Sequence, residues 1–570
     1  LKVTGNATDP VDTNTGVDPD QLTAISVTGL GMGENYLSVD HDEFGAEQGP
    51  TGPYSGAIYY ATHITNGDDY TIESTVENVI VQLGDGDDTF IIDSVQNLGG
   101  LASTIVRGGA GSDTITVGST GAGLKPNFVN RVDYVDGALE VDGQTGTNTV
   151  IINDFGESDN DPHSTGQYDG NEFTGLDMTG TLKIVGADAV EILMGSKADT
   201  FYIPATDPGI SLSVQTGTGA DTVYVGKRYS GAGGTDSLDA ILGEVTISGQ
   251  GAADQLYFND QNNTAFASWL VENDAGVNPD VTTVSRTGTA NVHYQEMETV
   301  VLNAGSGDDL IAINGTHREQ DTSGGKSSSL SINAGPGADT IRLGNGLLAD
   351  FAMDPTPLTP NDSPNGIPVL INGQDGADTV HFDDSSNINA VELAFTSKTF
   401  DELFPPGDNP LAFDLFKSIF GEDPDTTPYA SVVMSEAGQA TPLNISSRTT
   451  EEIRVSLGGG DDVIQLTSGE YGFDMTVRSG DGRDTFNVEN GVTAPGQPIA
   501  FHGEADADLL PIVLVASPLD GGLPAQTVLP VSAVAATLCA AALTPASDLA
   551  ETPATRTLPR PPSDSSAPPP

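Results

Sequence analysis

GGAGSDTITV, residues 108–117, sets a glycine-rich turn before one aspartate and then alternates polar with apolar residues. The same figure recurs through the chain in three kinds that follow one another in fixed order, four times over. The first kind reads LGDGDDTFII (83–92), MGSKADTFYI (194–203), AGSGDDLIAI (304–313) and LGGGDDVIQL (457–466). The second is the opening stretch with TGTGADTVYV (216–225), AGPGADTIRL (334–343) and SGDGRDTFNV (479–488). A third carries one more residue in the turn: DGQTGTNTVII (142–152), SGQGAADQLYF (248–258), NGQDGADTVHF (372–382) and HGEADADLLPI (502–512).

The residues ahead of each turn repeat as well. An acid, Glu77, Asp188, Glu298 or Glu451, opens each row of the first kind, followed at alternate positions by apolar groups such as Val190, Ile192 and Met194. A period of two is the period of a strand. Every row therefore reads as strand, tight Gly/Asp turn, strand. The first glycines of the first-kind rows, Gly84, Gly195, Gly305 and Gly458, lie 111, 110 and 153 residues apart, so the unit is a module of roughly 110 residues. Units of this kind leave an apolar face for a neighbour and stack. The expected fold is all-β: a parallel β-helix or β-roll-like solenoid, its Gly/Asp turns stacked on one edge and joined by longer irregular links.

The expected organisation is a link of a preceding repeat over 1–76, modules over 77–155, 156–260, 261–384 and 385–512, and an Ala/Pro-rich tail over 513–570. Within the last link, NPLAFDLFKSIFG (409–421) predicts a short helix near 410–420, with Asn409 able to cap, Pro410 suited to the first position and Gly421 to the end. Neither terminus reads as the natural limit of a domain. The sequence is expected to be a piece of a longer array.

Stacking has an electrostatic consequence. Rows about 4.8 Å apart bring the last aspartate of each turn into a column: Asp88, Asp113, Asp199, Asp221, Asp254, Asp309, Asp339, Asp378, Asp462 and Asp484. Two carboxylates about 5 Å apart repel by roughly 0.8 kcal/mol in water and roughly 3 kcal/mol at an effective dielectric of 20. The chain has 20 Lys and Arg against 81 Asp and Glu, a net charge of −61, and almost no base lies in the turns. A hard divalent cation meets the need, because calcium takes six to eight oxygens and glycine turns can aim carbonyls at one point.

The residues here resemble the repeats-in-toxin, haemolysin-type calcium-binding family, whose Gly-Gly-x-Gly-x-Asp-x-apolar-x pattern the stretch 108–116 matches throughout. Beyond the turns the chain looks more like large repetitive secreted or surface proteins with modules of about a hundred residues. The resemblance implies calcium as the bound ion. It implies carboxylate ligands from the ten column aspartates and main-chain ligands around Gly84, Gly86, Gly109, Gly111, Gly217, Gly219, Gly305, Gly307, Gly335, Gly337, Gly376, Gly458, Gly460, Gly480 and Gly482. Three rows depart from it: Lys197 replaces the second glycine, Asn148 replaces the aspartate, and the row around Asp508 lacks the second glycine. Fewer ions than rows are expected.

Other chemistry finds little purchase. The sequence has no His-Glu-x-x-His, no Gly-x-Ser-x-Gly and no phosphate loop, and its seven histidines are scattered. No enzyme is expected. The single cysteine, Cys539, excludes a disulfide framework, and weak calcium sites fill only where calcium is abundant, which favours an extracellular or cell-surface location. Strong acidity argues against nucleic acid and against bare anionic membrane, and VLPVSAVAATLCAAAL (528–543) is short for a span. The acid-rich DHDEF (40–44) reads as a solvated loop or an extra cation site. Two functional classes follow: a calcium-stiffened structural or adhesive protein touching cell-surface or matrix components, and an acidic protein that gathers calcium or meets mineral. An accessory region of a larger secreted calcium-dependent enzyme is a third.

Overall fold

Alternating burial along each row shows how the strands form. In Ala189–Leu193, Val190 and Ile192 are fully buried while their neighbours are half-exposed, and Ser211–Gln215 buries Leu212 and Val214 in the same way. A computed structural model describes residues 78–95, 103–118, 130–156, 165–229, 236–273, 281–315, 329–348, 368–398, 429–436, 444–503 and 508–512, less a few positions within them, and five short strands beyond. Among these residues the chain is all-β, with no α-helix. The helix expected near 410–420, the acidic cluster at 40–44 and most of the tail lie outside the described residues.

Two large sheets hold nearly all the strands, and the rows pair in parallel within each. Thr89–Ser94, Thr114–Val117, Thr149–Asn153 and Ala189–Leu193 lie side by side in the second sheet, with Thr89 opposite Thr114, Thr114 opposite Thr149 and Thr149 opposite Ala189. The strands that precede the first three, Asn78–Asp85, Ser103–Ala110 and Ala138–Thr145, pair in the first sheet. The chain thus passes from one sheet to the other at each Gly/Asp turn. Apolar side chains from both sheets form one continuous core, where Trp269, Phe90, Phe201, Phe258 and Phe382 are among the largest groups closed to solvent. On the outer face Tyr202, Tyr224 and Tyr257 stack with ring centroids 5.0 and 4.9 Å apart, the interval between neighbouring strands.

The links are more regular than the sequence suggests. Each described link folds as a three-stranded antiparallel meander inside one sheet. In the first, Thr165–Gly170, Glu172–Gly175 and Met178–Val185 reverse twice, the last strand pairing in parallel with Ala138–Thr145 and the first with Thr200–Thr206. The stretch EFTGLDM (172–178) makes its tight turn at Leu176 and Asp177, both left-handed at φ 49° and 62°, as a two-residue hairpin of the I′ type requires. The second link repeats the figure in the other sheet with Ser268–Asn273, Thr282–Arg286 and Val292–Gln295, and the third returns to the first sheet with Val391–Lys398, Tyr429–Glu436 and Asn444–Arg448.

These meanders shift the phase of the repeat, and the expectation of one edge is corrected accordingly. The turns of the first and third modules join the first sheet to the second. Those of the second and fourth join the second sheet back to the first, because Ala189–Leu193, Ser211–Gln215 and Val245–Ser248 lead into Thr200–Thr206, Thr222–Val225 and Gln255–Asn259. The turns occupy two junctions in alternation, and each module forms its own short column.

A polar ladder that sequence reading missed runs inside the core beside the turns. Asn303 Nδ2 donates to Asn259 Oδ1 at 3.4 Å, Asn333 to Asn303 at 2.7 Å and Asn372 to Asn333 at 3.4 Å, and the Thr449 hydroxyl closes the series on Asn372 at 2.8 Å. Its signal was an asparagine just before Gly or Ala-Gly in the third-module turns.

Candidate cation-binding turns

The strand register fixes which aspartates share a column. The residues just before the paired strand positions give Asp88, Asp113, Asn148 and Asp188 as one set, and Asp199, Asp221, Asp254 and Glu298 as the next. Asp309, Asp339, Asp378 and Glu451 form a third, and Asp462 with Asp484 a fourth. All ten expected aspartates therefore stand in columns, though in four columns rather than one.

Each of the ten is buried, at most 4% exposed, and points inward. The main chain uses one oxygen of most of them. The amide of Asp88 donates to Asp113 Oδ1 at 3.0 Å, that of Asp199 to Asp221 at 2.8 Å, and that of Asp221 to Asp254 at 2.8 Å. Asp309 donates to Asp339 at 2.7 Å, Asp339 to Asp378 at 2.9 Å and Asp462 to Asp484 at 2.9 Å. Amide donors offset part of the repulsion that the sequence alone leaves uncompensated, and hydrogen bonds to a charged acceptor are the stronger kind.

The second oxygen is a different matter. Oδ2 of Asp113, Asp339 and Asp378 is closed to solvent and has no hydrogen-bond partner among the described residues. Burial lifts the carboxyls of Asp221 and Asp378 to about 6, while amide hydrogen bonds work against it. For Asp339 and Asp462 burial is again the largest cause, and the charges of neighbouring aspartates help carry them to about 7. Asp113 and Asp309 shift upward by burial as well. A buried carboxylate with an unmatched oxygen is costly, and either a proton or a cation relieves it.

Contrast comes from the corners opposite. Asp260 accepts the Leu238 amide at 3.0 Å and Asn263 Nδ2 at 3.1 Å, and it forms an ion pair with the Arg286 guanidinium at 2.8 Å. Asp384 accepts the Leu348 amide at 2.7 Å and Asn387 Nδ2 at 3.0 Å. At these two corners both oxygens of the buried aspartate have donors, through an Asp-x-x-Asn spacing that sequence reading passed over.

The glycines place carbonyls along the same line. A Cβ at Gly111, Gly217, Gly335, Gly376 or Gly480 would strike the carbonyl oxygen of Gly86, Gly195, Gly305, Gly337 or Gly458 in the row before. At Gly108, Gly249 and Gly373 it would strike Oδ2 of Asp113, Asp254 and Asp378. Only a hydrogen fits in these cups. Gly335→Ala, at φ 96°, combines a left-handed cost of about 1–3 kcal/mol with that clash, whereas Gly209→Ala, at φ 90° with open space around it, bears the backbone cost alone. Urea midpoints should fall further for Gly335→Ala, and equal shifts would show that row spacing is not what the glycine serves.

Exposed acids hold the outside of the turn. Asp87, Asp308 and Asp461 accept the amides of Ser112, Ala338 and Arg483 at 2.7, 2.9 and 3.0 Å, tying first-kind rows to second-kind rows. Among the described residues no three His, Cys, Asp or Glu side chains converge on one point. A cation in these turns would draw on one or two carboxylates and otherwise on main-chain carbonyls. The unmatched buried oxygens and the carbonyls that the glycines bring close fit such an ion in chemistry, with Asp113, Asp339 and Asp378 as its firmest ligands. The departures seen in sequence have counterparts here: Asn148 takes the place of an aspartate in its column, and Lys197 presents its carbonyl to Gly219 in the next row.

No described helix is long and apolar enough to cross a membrane. No protein family matches the chain, and comparison with curated proteins finds no match either.

Proposed function

We propose that the chain is a calcium-binding extracellular structural or adhesive protein, wound as a parallel β-solenoid whose Gly/Asp turns hold ions and stiffen an elongated array. The observation that supports this reading is the buried second oxygen of Asp113, Asp339 and Asp378, stacked at strand spacing and without a hydrogen-bond donor among the described residues. Calcium would supply positive charge to a column that 20 basic residues in 570 cannot neutralise. The carboxylates accept hydrogen bonds and would orient the ion, and the glycines let the rows approach closely enough to bring their carbonyls to it. Nothing in this arrangement activates a nucleophile or moves a proton along a substrate, so the proposal gives the turns no catalytic role.

The meanders between modules are the natural contact surfaces for cell-surface or matrix partners, because they vary while the rows repeat. The second class, an acidic protein that gathers calcium or meets mineral, draws on the outward carboxylates Asp87, Asp308 and Asp461. The test of the favoured reading is the far-UV circular dichroism of the whole chain in calcium and in chelator. A spectrum and melting curve indifferent to the change would remove it.

A further inference from the structure

Three columns end on an acid from outside the Gly/Asp row. Above Asn148, Asp254 and Asp378 stand Asp188, Glu298 and Glu451, each from a short turn that opens the following module: Gly186-Ala187-Asp188, Glu296-Met297-Glu298 and Thr449-Thr450-Glu451. Each accepts the amide beneath it, from Asn148 at 2.8 Å, Asp254 at 2.5 Å and Asp378 at 2.7 Å. The chain then runs through one strand and begins its own column at the opposite junction.

What lies under the acid differs between the joints. At the third, Asp378 is closed to solvent, and its Oδ2, without a hydrogen-bond partner among the described residues, sits in the cup of Gly373. The carbonyl oxygen of Thr449 reaches the same cup. Thr449 is β-branched yet left-handed at φ 50°, a conformation that its neighbours must enforce. At the second joint Glu296 is left-handed at φ 57°, and its carbonyl and Asp254 Oδ2 both border the cup of Gly249. At the first joint Asn148 fills the place of the aspartate, and its Nδ2 donates to the Gly186 carbonyl at 3.1 Å. There a side-chain N–H already lies against the carbonyl that elsewhere faces a carboxylate oxygen.

We infer that Asp378 with Glu451 completes a divalent-cation site at the joint between the third and fourth modules, with the carbonyl of Thr449 as main-chain ligand. At the first joint the amide of Asn148 takes the place of such an ion. The inference rests on the calcium reading of the columns and extends it: the last ion of the third module is held by the first turn of the fourth, so these two modules are locked together by binding.

Calorimetric titration of the whole chain with calcium chloride tests this in Glu451→Gln and Asp188→Asn. Each substitution keeps an oxygen for the amide below and removes only charge. Glu451→Gln should lose one site or weaken it by about tenfold or more, while Asp188→Asn titrates as the parent. Wild-type stoichiometry and affinity in Glu451→Gln, or an equal loss in Asp188→Asn, would overturn the joint site while the columns stand. A parent chain that takes up no calcium would sink the calcium reading itself. As a second readout, calcium should raise the melting temperature less in Glu451→Gln than in the parent, with the metal-free melts alike. A metal-free melt lowered as far as the loaded one would assign Glu451 to hydrogen bonding alone and overturn the proposal.

Discussion

Removing calcium at neutral pH should lower the melting temperature by on the order of 10 °C or more, and restoring it should reverse the change. Each site that binds only the folded chain adds about 2.7 kcal/mol when free calcium stands a hundredfold above its Kd. Whole domains are stable by only about 5–15 kcal/mol, so two or three such sites match the total. One kcal/mol moves the midpoint of a domain of 150–250 residues by about 2–4 °C. The core opposes complete collapse, since its apolar side chains are continuous between the sheets. Loss should therefore begin in the turns and spread along the strands they join. Far-UV circular dichroism with chelator and with calcium reads the effect, and coincident melts would contradict it.

The metal-free chain should respond to pH in the sense opposite to most acidic proteins. Asp339 and Asp462 stand near 7 in the folded chain and Asp221 and Asp378 near 6, against an ordinary value of 3.8. Between these values the folded state holds protons that the unfolded state has released, so stability falls as pH rises. The contribution is complete below about pH 4 and is lost once pH passes about 7. Without calcium, the urea midpoint should be higher at pH 5 than at pH 8. Calcium needs ionised carboxylates, so the loaded chain should show the reverse, losing stability as acid displaces the ion. A metal-free midpoint that rises from pH 5 to pH 8 would mean that these carboxyls ionise freely in place.

Rows, turns and the all-β class were legible because they rest on local chemistry. Glycine before aspartate makes a turn, and alternation of Val190, Ile192 and Met194 makes a strand, wherever the segment is later placed. The column members were legible for the same reason, since identical turns in parallel strands must align. The alternation of junctions was not. It depends on which sheet receives Ala189–Leu193, and that is decided by the reversal at Leu176 and Asp177, a turn without the usual Asn-Gly signal. Burial of the aspartates was missed as well. In the sequence they look like loop residues, and only the stacking of one row's amide on the next row's carboxylate turns them inward. The asparagine ladder gave only single residues to read, each ordinary in a turn, and its cooperation appears when four rows are stacked.

Calorimetric titration of the purified chain with calcium at pH 7, repeated in buffers of different ionisation enthalpy, tests the central claim most directly. Ions lodged against the buried carboxyls should give a saturable isotherm with several sites per chain and an apparent heat that varies with the buffer, because protons leave Asp339 and Asp462 as calcium enters. A flat isotherm, or uptake that never saturates and releases no protons, would contradict it.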